Sequence, residues 1–198
     1  MIILKQNSKK KILKIAESAV MLGLATALSM VMFFHLPAGG SVTVFSMLPI
    51  LIIAYRYGFL WGIGVGAIYG VIQMMLGMSA LSYATNALAA VCIIAFDYIV
   101  AFGVLGVCGL FRKIKNQALG FSAGVVLACV LRFLCHFITG ITVWADYSDG
   151  IWPVLNYSLV YNGSYMLPEM GITLVVGVAV VSVLDLRSEN IRPLKKSK

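Results

Sequence analysis

Charged residues are scarce in this sequence: Asp, Glu, Lys and Arg together make up 11% of its 198 residues, whereas hydrophobic residues make up 61%. A soluble domain carries roughly 25% charged residues. So few charges cannot cover a water-exposed surface, and the composition therefore excludes a soluble enzyme. The net charge is +8, but most lysines lie in the two tails, at positions 5–14 and 195–198. These are membrane-flanking positions, so the basic balance does not indicate nucleic-acid binding.

Catalytic and metal-binding motifs are also missing. The sequence contains no GxxxxGK[ST] phosphate loop, no HExxH or GxSxG motif and no CxxC pair, and its two histidines lie far apart. These absences predict a protein that is not an ATPase, hydrolase or metalloenzyme and that has no cofactor of its own. One enzymatic alternative stays open, in which Asp97 and His136 act as an acid–base pair within a membrane.

Long uncharged stretches predict six membrane crossings. A helix needs about 20 apolar residues to cross the hydrocarbon core, and no charged residue occurs between Tyr57 and Phe96. The predicted fold is an all-α membrane protein, a bundle of six transmembrane helices in one domain over residues 1–198. The predicted spans lie near 13–34, 42–56, 59–77, 86–111, 118–143 and 153–184. The second is short for a full crossing, and tilting or shelter by its neighbours would explain its length.

The positions of Lys and Arg orient this bundle. Six crossings put both termini on one side of the membrane, and the basic tails, Arg56 and the loop 112–116 fall on that same side. The positive-inside rule makes this side cytoplasmic. The acidic loop 146–150 contains no Lys or Arg, and it is predicted to face outward.

Four titratable residues fall inside predicted spans: Asp97, Arg132, His136 and Glu169. A charge at mid-bilayer costs on the order of 2.5–3.5 kcal/mol on insertion scales, so such residues usually face a partner or a wet cavity. Two interpretations follow. Arg132 pairs with Asp97 or Glu169 to hold helices together, or these groups line a binding site.

Two segments favour a binding site. Arg132, His136, Gly140 and Trp144 follow each other at four-residue steps, which places them on one broad helix face. In this interpretation Gly140 leaves an open slot between the Trp144 ring near the outer end and the deeper imidazole. The segment 156–165 adds three tyrosines and two asparagines, whose polar groups need partners. Aromatic faces attract cations, so the lining would suit a flat, cationic solute.

Small residues recur at every fourth position on two spans. The third span has glycine at positions 58, 62, 66 and 70, and the first span has Ala19, Gly23 and Ala27. Small residues let helix backbones approach closely within a membrane. Internal packing is the expectation for the third span. On the first span, packing and a docking face for another membrane protein both stay open.

Five stretches, taken together and in this order, carry a resemblance to a known family. They are Pro37–Val42 (PAGGSV), Pro49–Gly58 (PILIIAYRYG), Asp97–Phe102 (DYIVAF), Leu131–Gly140 (LRFLCHFITG) and Tyr157–Gly163 (YSLVYNG). The sequence resembles the ThiT-type, thiamine-specific substrate-binding subunits (S components) of energy-coupling-factor vitamin transporters, over about residues 16–184. The resemblance implies a multi-pass, six-helix subunit of the bacterial plasma membrane that captures thiamine at the outer face for uptake.

The resemblance also implies which residues bind the substrate. The implied set is Asp97, Tyr98, Arg132, His136, Gly140, Trp144, Tyr157 and Asn162. Trp144 and His136 are expected to stack on the thiamine rings. Asp97, Tyr157 and Asn162 are expected to hydrogen-bond the aminopyrimidine edge, and Asp97 also offsets the thiazolium charge.

Partner subunits are implied as well. In this family a small-residue face on the first helix, here Ala19, Gly23 and Ala27, docks to a shared transmembrane coupling subunit, and two ATPase subunits supply ATP hydrolysis. Some members have Glu in place of Asp97, and a Trp in the first outer loop where this chain has Gly39 and Gly40. These departures predict weaker thiamine binding or a preference for a thiamine precursor. A subunit specific for another small vitamin is a further alternative, and a scaffold whose polar groups only join helices is the non-transport alternative.

Overall fold

Six helical segments form a bundle in the computed structural model, which describes residues 2–36, 40–143, 150–188 and 191–194. A further, short 3₁₀ helix, Met78–Tyr83, connects the third segment to the fourth. Five of the six segments are long and apolar enough to cross a membrane, and the sixth is a shorter apolar helix, Leu48–Tyr57. The predicted all-helical membrane architecture is therefore confirmed for the described residues. In chain order the segments are α1 (Ile2–Ser29), α2 (Leu48–Tyr57), α3 (Phe59–Leu76), a composite helix (Ala87–Lys113), α6 (Gln117–Val143) and α7 (Ile151–Val183).

The composite helix is not a uniform α-helix. It consists of α4 (Ala87–Cys92), a π-helical stretch (Ile93–Ile99), α5 (Val100–Gly103) and a 3₁₀ stretch (Val104–Lys113). A π-helical turn is rare and is often found at functional sites. Sequence periodicity does not predict such a change of winding, because it reports only which residues are apolar.

The first predicted span ends too late. Helix α1 ends at Ser29. Residues 32–34, which were predicted to lie in this span, belong instead to strand β1 (Met32–His35), which pairs antiparallel with β2 (Ser41–Thr43). Two local features explain the difference. Phe33 and Phe34 favour extended backbone, and Leu36 precedes a proline, which disfavours the helical conformation. A second small hairpin, β3 (Leu184–Asp185) with β4 (Arg192–Pro193), follows α7.

Helix α2 is the centre of the bundle. Every residue from Leu48 to Arg56 is buried, although its ten residues span only about 15 Å. The Tyr55 ring meets the Phe121 ring of α6 edge-on, with centroids 5.4 Å apart. The expected shelter by neighbouring helices is therefore present. The predicted span 42–56 begins too early, however, because Ser41–Thr43 form strand β2 and the helix begins only at Leu48.

Three of the predicted glycines, Gly62, Gly66 and Gly70, lie in α3 and pack against other helices, as predicted. A Cβ at Gly62 would lie 2.5 Å from the Ala54 Cβ, and one at Gly70 would lie 2.5 Å from the carbonyl oxygen of Tyr98. A larger residue would push α3 away from α2 and from the composite helix. Because Tyr98 follows Asp97 directly, the close contact at Gly70 also fixes the backbone that carries Asp97.

A buried arginine closes one end of the bundle. Arg56, only 5% exposed, forms a bidentate ion pair with Glu17 of α1, with N–O distances of 2.7 and 3.1 Å. Its Nη1 also donates to the carbonyl oxygens of Leu186 and Ser188. Arg187 donates to the carbonyl oxygen of Ile114 at the same end. The loop 112–116, residue 56 and the segment after α7 therefore lie together, as the charge pattern predicted.

Candidate ligand-binding site

A cavity of about 660 Å³ opens at the other end of the bundle. It is lined by the last residues of α1, α3 and α6 (Ser29, Leu76 and Val143) and by the first half of α7. The β1–β2 hairpin also contributes to the wall. Arg56, which contacts the segment after α7, lies at the opposite end of the bundle. Cavities of 300–1,000 Å³ commonly hold small organic ligands, so this volume suits one molecule of that size.

The cavity brings together residues that the sequence only suggested. Seven of the eight predicted substrate-binding residues line it: Asp97, Tyr98, Arg132, His136, Gly140, Tyr157 and Asn162. They come from the composite helix, α6 and α7, which are distant in sequence. The eighth, Trp144, and most of the predicted outer loop 146–150 lie outside the described residues.

Asp97, His136 and Arg132 form a hydrogen-bonded row on the cavity wall. The His136 Nδ1 lies 2.9 Å from an Asp97 carboxylate oxygen, and the Arg132 Nε lies 3.3 Å from the His136 Nε2. A guanidinium N–H can only donate, so Nε2 must accept, and the imidazole proton belongs on Nδ1. This arrangement describes a neutral imidazole that donates to the Asp97 carboxylate.

Of the two interpretations of these charges, the one in which Arg132 pairs with Asp97 or Glu169 is therefore wrong. Among the described residues Arg132 forms no ion pair with a carboxylate; it bonds to His136, and its guanidinium carbon lies 4.2 Å from the centre of the Phe102 ring. Arg132 and His136 are one turn apart on α6, and side chains four residues apart meet on a helix. This spacing explains why Arg132 bonds to His136. Arg132 thus sets the orientation of the imidazole ring.

Asp97 and Tyr98 both lie in the π-helical stretch. The Tyr98 hydroxyl donates to the carbonyl oxygen of Gly77 at 2.7 Å, at the C-terminal end of α3. Asp97 is thereby held in two ways: its neighbour Tyr98 is hydrogen-bonded to the end of α3, and its own carboxylate is hydrogen-bonded to His136. A carboxylate positioned in this way can accept a further hydrogen bond from a ligand through its remaining lone pairs.

Gly140 does not leave the open slot that the sequence suggested. A Cβ at this position would overlap the Ser158 Oγ and would lie 2.9 Å from the Ser158 Cβ. The space beside the glycine is thus filled by α7, and the glycine permits close contact of α6 and α7. The prediction that Gly140 makes room for a ligand ring is therefore wrong; the glycine instead lets α6 and α7 pack closely at the cavity wall.

Asn162 is largely engaged by the protein itself. Its amide nitrogen donates to the carbonyl oxygen of Ser158 at 2.9 Å and lies 3.4 Å from that of His136, and its side-chain oxygen accepts from the Tyr165 hydroxyl at 2.8 Å. The residue is 5% exposed. These bonds hold α7 against the backbone that carries His136, so Asn162 contributes to the shape of the site beyond any direct contact with a ligand.

Three tyrosines of α7 form an aromatic wall. Tyr157 and Tyr161 stack with ring centroids 5.5 Å apart, Tyr165 meets Tyr161 edge-on at 5.8 Å, and the His136 ring lies edge-on to Tyr165 at 6.1 Å. The predicted set included Tyr157 but not Tyr161 or Tyr165. Their four-residue spacing was the signal that would have identified them, since it places all three on one face.

Glu169 was also not assigned to the site. It is 3% exposed and lines the cavity, and its two carboxylate oxygens accept from the backbone N–H and the hydroxyl of Thr43 at 2.7 Å each. The β1–β2 hairpin is joined to α7 a second time, because the Gly40 N–H donates to the Tyr161 hydroxyl. The described lining thus carries two carboxylates against one guanidinium, which favours a positively charged ligand.

The small-residue face of α1 points away from the bundle. Ala19, Gly23 and Ala27 are exposed, whereas Ser18 and Ala25 on the opposite face are buried. No atom lies within 4 Å of the position that a Cβ on Gly23 would occupy. Of the two alternatives for this stripe, packing within the chain is therefore wrong, because no other part of the described chain contacts Gly23.

Metal chemistry has no support in the described part of the chain, where no three His, Cys, Asp or Glu side chains come together in a way that could hold an ion. The cavity instead offers aromatic faces, carboxylates and a neutral imidazole. These groups bind flat rings by stacking and by edge hydrogen bonds.

Comparisons with known proteins agree with this picture. The chain is 31% identical over 182 residues to the thiamine transporter ThiT of Bacillus subtilis (86% of this chain and 91% of the relative). It is 26% identical over 185 residues to ThiT of Lacticaseibacillus paracasei (88% and 89%). A solved structure of ThiT from Listeria monocytogenes shares the fold, with a TM-score of 0.70, 21% identity and coverage of 87% of this chain and 94% of that one.

The family assignment rests on nearly the whole chain. The model of the thiamine transporter protein family matches residues 15–188, which include every described residue that lines the cavity. The expected resemblance is thereby confirmed, as is a multi-pass membrane protein that is a transport component and not an enzyme. The chain belongs to the thiamine transporter protein family.

Proposed function

We propose that this chain is the substrate-binding subunit of an energy-coupling-factor transporter and that it captures thiamine in the cavity between the composite helix, α6 and α7. One observation carries the proposal: Asp97, His136 and the tyrosines of α7 converge on a single cavity of about 660 Å³. The relatives named as thiamine transporters, which align over most of their length, support the choice of ligand. A scaffold would not require aromatic, acidic and imidazole groups around a shared space.

The chemistry of the wall matches that of thiamine. Thiamine has a flat aminopyrimidine ring with hydrogen-bonding edges and a flat thiazolium ring with a positive charge. The Asp97 carboxylate and the Tyr157 hydroxyl can bond the aminopyrimidine edge, and the His136 ring offers a stacking face beside it. Trp144 is proposed to supply a second stacking face. A thiamine precursor that carries only one of these rings is the alternative substrate.

The proposed topology has six crossings with both termini in the cytoplasm. The clustering of Arg56, Arg187 and the loop 112–116 at one end supports this orientation through the positive-inside rule. The cavity then opens at the outer face, where a vitamin arrives. Helix α2 is proposed as the sixth crossing, and the β1–β2 hairpin extends it towards the outer surface.

Uptake is proposed to need partner subunits. The sequence has no phosphate-binding loop, so energy must come from other chains, namely two ATPase subunits acting through a shared transmembrane coupling subunit. The exposed stripe of Ala19, Gly23 and Ala27 is the proposed docking face, because small residues let a partner helix approach the backbone closely.

A titration of the purified chain tests the proposal. Thiamine, its aminopyrimidine precursor and its thiazole precursor are each added to the protein in detergent, and binding is measured by calorimetry. We expect sub-micromolar affinity for thiamine, about −8 kcal/mol or stronger, and much weaker binding of either half alone. Tighter binding of one precursor would reassign the substrate, and no binding of any of the three would favour the scaffold.

A further inference from the structure

A second pocket lies at the other end of the bundle from the ligand cavity, where α2 turns into α3. Its volume is about 440 Å³, and it is lined by Lys14 of α1 and by the residues of the turn, Tyr57–Trp61. Gly58 permits the turn, because its φ of +93° is a backbone conformation that other residues rarely adopt. The pocket therefore lies between α1 and this turn.

Two cations meet at this pocket. The ammonium of Lys14 lies 3.9 Å from the centre of the Trp61 ring. Arg112, near the end of the composite helix, reaches the same turn, since a Cβ on Gly58 would lie 3.6 Å from the Arg112 Nη1. Arg112 also acts electrostatically on Lys14, and the two like charges repel each other. A pocket lined by charges of one sign attracts an ion of the opposite sign, here an anion.

No carboxylate forms an ion pair with Lys14 or Arg112 within the described part of the chain. Glu17 lies one turn after Lys14 on α1, but its two oxygens accept from the Nε and Nη2 of Arg56, and one of them also accepts from the Tyr57 hydroxyl. This single carboxylate can balance only one of the three cations at this junction. The N–H donors of Lys14 and Arg112 therefore stay available to an added anion.

The position of the pocket indicates where the anion comes from. Lys14, Leu60 and Arg112 all lie near the ends of membrane-spanning segments, Ser8–Ser29, Phe59–Leu76 and Ala87–Lys113. Lipid headgroups meet the hydrocarbon core at this level, and Lys, Arg and Trp side chains commonly lie there. Leu60 is 80% exposed, so an apolar surface adjoins the two cations. A soluble anion would use only the cations, whereas a phospholipid would use both.

We propose that this pocket binds an anionic phospholipid, whose phosphate bonds to Lys14 and Arg112 and whose acyl chain packs on Leu60. Phosphate oxygens accept hydrogen bonds from ammonium and guanidinium groups, and such charge-assisted bonds are about twice as strong as neutral ones. The inference does not depend on thiamine as the ligand, because the pocket and the ligand cavity lie at opposite ends of the bundle.

The test titrates the delipidated chain in detergent with dioleoylphosphatidylglycerol and counts bound lipids by native mass spectrometry. Dioleoylphosphatidylcholine is the comparison lipid, because it has the same chains and phosphate but no net charge. Inorganic phosphate is added as a competitor, to distinguish a lipid from a soluble anion. The variants are Lys14→Gln and Arg112→Gln. Lys113→Gln is the matched control, since it removes the charge of an exposed residue directly after Arg112.

We expect Lys14→Gln and Arg112→Gln each to weaken binding of the first phosphatidylglycerol by about fivefold, which corresponds to about 1 kcal/mol, and Lys113→Gln to weaken it by less than about twofold. The wild-type chain should bind phosphatidylcholine more weakly. Equal binding of the two lipids by the wild-type chain would overturn the inference, a result that does not depend on folding of any variant. No loss in the two pocket variants would overturn it too. Equal losses in all three variants would show a general attraction to the basic end, and displacement of the lipid by an equal concentration of inorganic phosphate would show a site for a soluble anion; either result would also refute the lipid site.

Discussion

Replacement of Gly140 by alanine tests whether close contact between α6 and α7 shapes the cavity. A Cβ there would overlap the Ser158 Oγ and lie 2.9 Å from the Ser158 Cβ, whereas carbon atoms in favourable contact are about 3.5–4.0 Å apart. Rotation of the serine hydroxyl removes the first overlap but not the second, because the backbone fixes both Cβ atoms. The helices must therefore separate locally by about 0.6–1.1 Å.

This separation acts directly on the site. The Ser158 hydroxyl donates to the carbonyl oxygen of Phe137, and the Asn162 amide reaches that of His136, so both contacts between the two helices would lengthen. Overpacking of this kind typically costs about 1–3 kcal/mol. We expect Gly140→Ala to lower the melting temperature and to weaken thiamine binding by at most about 150-fold, the ratio of Kd values that would result if the full ~3 kcal/mol were lost from binding.

Thermal unfolding and calorimetric titration in detergent measure both effects. The double variant Gly140→Ala/Ser158→Gly should recover much of the loss, because it removes the side chain that the new methyl group meets. Gly171→Ala on α7 is the control, since nothing lies within 4 Å of its Cβ position and alanine favours a helix by up to about 1 kcal/mol. Wild-type stability and affinity in Gly140→Ala would refute this reasoning. A loss that Ser158→Gly does not relieve would mean that the glycine makes room for the ligand itself.

Three further predictions concern other parts of the chain. His136→Ala should weaken thiamine binding by about 2–5 kcal/mol, because it leaves the Asp97 carboxylate without its donor; calorimetry showing wild-type affinity would remove His136 from the site. Gly23→Leu should abolish thiamine uptake by cells while binding in detergent stays unchanged, since the leucine would fill the exposed stripe on α1; continued uptake would exclude this docking face. Arg56→Met should lower the free energy of unfolding by about 2–3 kcal/mol, because the partly exposed Glu17 loses its cation and keeps only the hydrogen bond from the Tyr57 hydroxyl, and it should not change thiamine affinity. The matched control Arg192→Met removes an exposed pair and should cost less than about 1 kcal/mol.

Local patterns predicted much of the bundle and of the site. Uncharged stretches located the long helices because crossing a membrane requires a run of apolar residues, a property of the local sequence alone. The four-residue spacing of Arg132 and His136 correctly placed both on one helix face. Patterns failed where the outcome depended on a partner in another helix. Arg132 forms no ion pair with a carboxylate on another helix in the described part of the chain and bonds instead to His136 on its own helix, and Gly140 faces Ser158 of α7 and not an open slot.

The sequence by itself determined that this chain is a helical membrane protein, because solvation in lipid acts on each segment separately. It also predicted that most of the Lys and Arg residues lie on one side of the membrane. It also indicated which side chains bring chemistry to the membrane interior. Only the tertiary structure decided which of them meet. Asp97 reaches His136 through a π-helical turn, and Glu169 reaches Thr43 across 126 positions of the chain. Such contacts depend on how closely the helices approach, and that distance is set by the packing of the whole bundle.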